Sequence, residues 1–379
     1  MPAAASPRLA YCTNVVPAPT PEALVATLPG TWARVRELAA LPRLALGLWF
    51  PRDVAAALAG SPAELSALRD ALAAHALDAV TCNAFPADAF HAPVVKEAVY
   101  LPDWTDPARA AYTRAAAEIA AALAPRGALV PVSTLPLGYP RWERARRRAA
   151  GRALAATAAE LAALEERSGV RVVVALEPEP CCALERADDA LRFFADELPR
   201  DAATRRHVGV CLDLCHAAVA HEDAVATLGA YAAADVLVAK VQVSAALDVA
   251  DPADAAARAA LATRFAEPRW LHQVGVPGRI VRDLDVALAD PALAAAAPWR
   301  VHFHVPLHLA SVAGVATTQP QVARFLRHVA ALPAPPLLEL ETYTWAAVPG
   351  ADDDLAAGIA AEIAWAAGEL AAAAPDRCA

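Results

Sequence analysis

The chain has 379 residues and a formal net charge of −9, with 58% hydrophobic and 20% charged residues, so a large core is expected and extensive disorder is excluded. Acidic and basic residues are intermixed rather than sorted into blocks, which removes nucleic acid as the expected partner. The opening MPAAASPRLA lacks an apolar core for a secretory signal and no uninterrupted run of about 18 apolar residues predicts a membrane span, so the expected location is cytoplasmic.

Short apolar or β-branched runs recur along the chain at residues 9–15, 44–50, 79–85, 129–135, 170–177, 208–213, 236–244, 301–307 and 337–343. Such runs read as parallel strands buried on both faces. Helix-start signals lie between them, including Thr20-Pro21-Glu22, the capping box Ser61-Pro62-Ala63-Glu64, and Asp106-Pro107. Strand followed by helix, repeated, gives a parallel α/β architecture. YCTNVVPAP after the first run holds no glycine for a phosphate turn, which favours a closed (β/α)8 TIM barrel over an open doubly wound sheet.

Nine runs exceed the eight that a barrel needs, and the interval before 301 is long. Residues 248–300 are therefore read as an insertion after strand seven, with a helix at 252–265 and a hairpin at 270–283. Whether 301–307 is a barrel strand or part of that insertion stays open. An extra C-terminal helix is expected at 352–373, then a loose tail at 376–379, all within one domain of residues 1–379. The odd, scattered cysteines Cys12, Cys82, Cys181, Cys182, Cys211, Cys215 and Cys378 read as reduced thiols in packing roles.

In a barrel the informative residue is a polar one closing an apolar strand, because active groups gather where strands end. Strand five closes on Glu177 with Glu179 beyond it, strand six on Asp213 followed by His216, and strand seven carries Gln242. The last strand puts Glu339 and Glu341 on one face. Any one of these carboxylates alone reads as a helix cap or an ion-pair partner. Gathered together they would need a divalent cation, whether Mn, Mg, Co or Zn, to be buried without a large cost. His302 and His304 alternate in VHFHVPLH and read either as ligands or as an interior hydrogen-bonded pair, and His272 stands within the insertion. Asn14 and Asn83 at earlier strand ends, with Lys96 in the loop after strand three, suit a polyhydroxylated ligand.

ALEPEP, GVCLDLCH, KVQVSAAL and LELET resemble, in order and spacing, strands five to eight of the xylose isomerase-like TIM barrels, a group that includes ketose 3-epimerases and endonuclease IV. AYCTN, the NAFP loop with its FH and PDW, STLPLGY, LEPEP, VHFHVP and LETYTW also resemble the EboE family of metabolite traffic proteins. The first resemblance implies a metal on Glu177, Asp213, a strand-seven histidine and Glu341, with His216 touching substrate or a second metal. Gln242 occupies the expected histidine position, so either the metal is held more loosely or His304, His302 or His272 completes the shell. The second implies a role in making or moving a secondary-metabolite precursor.

The resulting expectation is a metal-dependent isomerase or epimerase of a sugar or cyclitol, phosphorylated or not, with Glu177 and Glu341 exchanging a proton and His216 assisting. Asn14, Asn83, Lys96, His216, His272 and His302 would contact the substrate, while Glu177, Asp213, Gln242, His304 and Glu341 would hold the metal. A non-catalytic metabolite carrier, a keto-cyclitol dehydratase and an endonuclease IV-like phosphodiesterase are the alternatives. Self-association is left open.

Overall fold

The computed structural model describes residues 8–88, 90–348 and 354–372. Eight parallel strands, β1 (Leu9–Cys12), β2 (Leu44–Trp49), β3 (Leu77–Asn83), β4 (Leu129–Thr134), β5 (Arg171–Leu176), β6 (Val208–Asp213), β7 (Val238–Val243) and β14 (Leu337–Leu340), close into a barrel. Closure joins the two ends of the chain, with Leu9 in register with Leu338 on one side of β1 and Ala10 with Ala45 on the other. Apolar runs such as RVVVAL in β5 suit this position because both faces of the sheet are covered.

Helices follow the strands as the punctuation predicts. Ser61 Oγ accepts the Glu64 amide hydrogen at 3.3 Å, Thr20 Oγ1 accepts that of Ala23 at 3.1 Å, and Asp106 Oδ1 that of Ala108 at 2.9 Å. Each satisfies one of the amides that a helix start leaves without an internal partner. The long helix Arg144–Ser168 stops at Gly169, which takes the left-handed conformation at φ 70°.

A second sheet forms between β7 and the helix Gln319–Ala330. Its strands are β8 (Leu247–Val249), β9 (Val274–Val276), β10 (Arg279–Val281), β11 (Trp299–Val301), β12 (Ser311–Val312) and β13 (Val315–Thr317), in the order β10-β9-β11-β8-β13-β12, with antiparallel pairing throughout. The hairpin expected at 270–283 is β9 and β10, and the helix expected at 252–265 is Ala255–Ala260 continued by a wider turn, Leu261–Phe265.

The question left open for 301–307 has an answer, and one expectation needs correction. The run 301–307 is not a barrel strand. β11 ends at Val301, and the stretch beyond it is held by isolated bonds, from the His302 amide to the Gln273 carbonyl at 2.8 Å and from the Val305 amide to the Ala245 carbonyl at 3.1 Å. The added structure also does not stop at residue 300, because its sheet runs on to Thr317. A buried apolar run flanked by polar residues has the same pattern whether its hydrogen bonds go to a barrel or to a small sheet beside one, which explains both outcomes. The sheet lies hard against the helix Leu214–Val219: a Cβ on Gly275 would stand 1.7 Å from the Val219 carbonyl oxygen.

The last helix is Leu355–Ala372. The ends of the segment expected at 352–373 and the tail at 376–379 lie outside the described residues. By length and composition alone this helix could cross a membrane, although Glu362 and Glu369 interrupt its apolar run. It buries Ile359, Ile363 and Ala366 together with a carboxylate, Glu362. That carboxylate accepts hydrogen bonds from Tyr11 Oη at 2.7 Å, the Leu307 amide at 2.8 Å and Thr342 Oγ1 at 2.7 Å, so it joins the first strand, the added segment and the end of the last strand.

Candidate metal centre

Three strand ends deliver the acids. Glu177 follows β5, Asp213 closes β6 and Glu341 follows β14, and one oxygen from each lies within 4.8 Å of the others. Asp213 also caps a helix: its Oδ1 accepts the His216 amide at 2.7 Å and the Ser244 hydroxyl at 2.9 Å. Its Oδ2 is buried with no partner, and so is Oε2 of Glu179. Glu341 Oε1 accepts from Asn14 Nδ2 at 2.8 Å. Burial, then the neighbouring Glu341 and Asp213, pushes the Glu177 carboxyl well above its usual range, and burial followed by Asp213 and Glu339 does the same to Glu341.

Imidazoles fill the remaining space. His216 Nδ1 donates to the Pro178 carbonyl at 3.1 Å, His302 Nδ1 to Gln273 Oε1 at 2.6 Å, and His304 Nδ1 to the Glu341 carbonyl at 2.9 Å. With Nδ1 of His302 and of His304 spent on an acceptor, Nε2 of each neutral ring is left as a lone pair. Those of His302 and His304 stand 3.3 Å apart. Burial is the main reason that His302 is far less basic than usual and that His304 falls to about 4, so both rings are neutral at pH 7. A ring nitrogen tied to a carbonyl and a free partner nitrogen is the arrangement that orients histidines toward a cation.

Two ligand sets therefore overlap. Asp213, His216 and His304 offer atoms within 4.8 Å of one another, and so do Glu179, His216 and His302. Cys215 lies as close to His302 and His304, but burial raises its thiol well above the usual range, in keeping with a packing role. The donors are oxygen and imidazole nitrogen, with unpartnered acceptors and facing lone pairs, a set that fits a divalent cation and leaves unfavourable contacts without one.

Gln242 and Asn83 sit in a polar layer of the barrel interior, and Asn83 also lines the cavity beside Asn14 and Glu341. Gln242 Nε2 donates to Asn83 Oδ1 at 3.1 Å, while its Oε1 has no partner. Asn83 Oδ1 also accepts from Lys240 Nζ and Ser133 Oγ, each at 2.7 Å, and Asn83 Nδ2 donates to Glu339 Oε1 at 2.8 Å. Lys240 forms a fully buried ion pair with Glu339. Burial opposes the lysine's charge, but Glu339 and the neighbouring groups together outweigh it and keep the ammonium above its ordinary range. Gly47 makes room for this layer, since a Cβ there would fall 1.5 Å from Glu339 Oε1.

His272 does not reach the cluster. Nδ1 meets the His302 carbonyl at 2.9 Å and Nε2 meets Glu267 Oε1 at 2.7 Å, so both ring nitrogens are occupied and the ring braces the backbone of His302. Lys96 stands at the cavity lip and is tied to Asp283 of the added segment at 2.6 Å. The amides of Val95 and Lys96 bond the Arg269 carbonyl at 2.7 and 2.9 Å, which fastens the loop after β3 to the same segment. The cavity, of about 60 Å³, is lined by Asn14, Glu177, His216, His302, His304 and Glu341 together with aromatic residues. Sequence reasoning did not assign roles to Tyr100, which donates to Glu179 Oε1 at 2.6 Å, to Gln273, or to Phe90, Trp270 and Tyr343. The aromatic loop motifs were the available signal.

The family described as xylose isomerase-like TIM barrel matches residues 45–259, more than half of the chain. The match contains Glu177, Asp213 and Gln242 and ends before His302, His304 and Glu341. Among solved structures, the chain is similar to an AP endonuclease of family 2 from Brucella melitensis, with 18% identity, 62% of this chain and 78% of that one covered, and a TM-score of 0.39. It is similar to the IolI protein solved with a bound zinc atom, with 12% identity over 96% and 97% of the two chains and a TM-score of 0.44. A third is a D-tagatose 3-epimerase-like protein, with 12% identity, 59% and 70% covered, and a TM-score of 0.36. No curated protein matches the chain.

Proposed function

The chain belongs to the xylose isomerase-like TIM barrel family, and from that premise we propose that it is a divalent-metal-dependent isomerase or epimerase of a sugar or cyclitol. The observation that carries the reading is the meeting of Glu177, Asp213 and Glu341 within 4.8 Å. Among the described residues, the only basic groups within 4 Å of these three acids are His216 and His304. Three buried acids without a fixed cation are costly, and a bound divalent ion removes the cost.

Glu177, Asp213, Glu341 and His304 would hold the ion, with His216 and His302 beside it. When bound, the metal would polarise a carbonyl and the hydroxyl next to it, which lowers the barrier to losing the proton alpha to the carbonyl. Glu177 and Glu341 would act as the base and acid that move this proton. Asn14 steadies the Glu341 carboxylate and the Pro178 carbonyl fixes the His216 ring. The motifs shared with EboE-type metabolite traffic proteins support a substrate from secondary-metabolite precursor chemistry.

The test is incorporation of solvent deuterium into a panel of ketoses and keto-cyclitols by protein of measured metal content. Exchange that disappears with chelator and returns with Mn²⁺ is expected. Metal bound at full stoichiometry with no exchange across the panel would overturn the catalytic reading in favour of a carrier, which Gln242 at the strand-seven position favours.

A further inference from the structure

An aromatic wall adjoins the candidate metal centre. Phe90, Trp270 and Tyr343 come from three separate segments, and their ring centroids are 5.7, 5.3 and 5.1 Å apart pairwise. The Tyr343 ring is 4.6 Å from that of His304, so the wall is continuous with the ligand cluster. Aromatic faces favour apolar C–H surface, and the adjoining polar atoms fix orientation.

Three buried polar atoms of the cavity lining have no partner: Asn14 Oδ1 and Glu179 Oε2, which accept, and Trp270 Nε1, which donates. Buried polar groups rarely stay unpaired in folded proteins, so these atoms await a ligand. Two acceptors and a donor around one cavity match hydroxyl groups, which both give and take hydrogen bonds.

Charge narrows the ligand further. Among the described residues, the lining holds no guanidinium and one ammonium, Lys96, already paired with Asp283 at 2.6 Å. Against it stand Glu177, Glu179 and Glu341, with Asp213 behind them. A phosphate ester would bring a dianion into this lining and find no fork of donors to receive it.

We propose that this cleft takes an uncharged polyhydroxylated ring, its C–H face on Phe90, Trp270 and Tyr343, and that it discriminates against the phosphate ester of the same ring. The inference rests on the sugar or cyclitol reading above and selects between its phosphorylated and unphosphorylated forms.

Mn²⁺-loaded protein of measured metal content is titrated calorimetrically with uncharged ketohexoses and cyclitols, with their monophosphates, and with inorganic phosphate. At least one uncharged ring is expected to bind, with its monophosphate at least tenfold weaker. Trp270→Ala weakens the uncharged ring at least tenfold without changing metal stoichiometry, and Trp270→Phe, which keeps the stacking face, recovers part of the loss. Tighter binding of a monophosphate, inorganic phosphate binding that Lys96→Ala abolishes, an unaffected Trp270→Ala, or metal-loaded protein that binds no uncharged ring would each overturn the proposal. Wild-type protein that retains no metal would instead sink the metal reading, which the metal assay registers separately.

Discussion

The Nε2 atoms of His302 and His304 face each other at 3.3 Å, each on a ring whose Nδ1 is already committed as a donor to an oxygen. Two lone pairs so placed repel unless a proton or a cation lies near both. Burial disfavours the proton, because both rings are much less basic than a free imidazole. His304→Ala should weaken Mn²⁺ or Zn²⁺ affinity at least tenfold, and His302→Ala should weaken it less if it serves only the overlapping set. Competition titration with a chromogenic chelator measures this, and equal affinity in wild type and His304→Ala would remove the histidine from the shell.

Asp213 carries two loads that substitution can separate. Asp213→Asn keeps an oxygen to cap the helix Leu214–Val219 but gives up the charge that meets Glu177, Glu341 and His304. Asp213→Ala loses both. Metal retention should fail in both variants, as it should in Glu341→Ala, while the alanine alone should lose about 1 kcal/mol of stability through the missing cap. Chemical denaturation of metal-free protein and metal analysis of purified protein read the two effects independently. Full metal content in either Asp213 variant refutes the assignment.

Gly47 is the thinnest point beneath the site. A methyl group there would overlap Glu339 Oε1 and pull the carboxylate off Lys240. Gly47→Ala should cost about 3 kcal/mol or more, the scale for leaving a buried charge without its partner. Lys240→Met should be comparably harmful alone, and Lys240→Met with Glu339→Leu should be less harmful than either single change. A double-mutant cycle in urea decides, and additive losses would show that the pair is not coupled.

Glu362 predicts a slope of stability with pH. Burial raises its carboxyl from the ordinary 4.5 to about 7. Between those values the folded chain holds a proton that the unfolded chain has released, so this group's contribution is full below about pH 4.5 and is lost as pH rises toward 7. The loss amounts to roughly 3 kcal/mol at about 1.4 kcal/mol per unit. Glu362→Gln keeps the shape without the charge and should flatten the decline relative to wild type between pH 5 and 8. Parallel pH curves for the two proteins would contradict the shift.

The strand ends were legible because a carboxylate that closes an apolar strand stands out against its neighbours, as Glu177, Asp213 and Glu341 each do. His302 and His304 were legible as alternating rings, although the strand imagined to carry them was not there. What pairs across the barrel left no local trace. Lys240 and Glu339 are remote in sequence, Gln242 and Asn83 likewise, and nothing near any of them announces its partner. The same holds for His272, whose distance from the ligand cluster depends on a hydrogen bond to Glu267, five residues away, and on the path of a small sheet. Short-range pattern records which face a side chain occupies, and the fold decides what it meets there.

Strand β1 pairs with β2 on one side and with β14 on the other. During synthesis the first strand therefore emerges long before its second neighbour exists, and one edge of it must wait while more than three hundred further residues leave the ribosome. Until then the cylinder cannot close, and Glu341, which follows β14, cannot join Glu177 and Asp213. Assembly of the acid cluster and sealing of the cylinder are thus one late event in the life of each new chain.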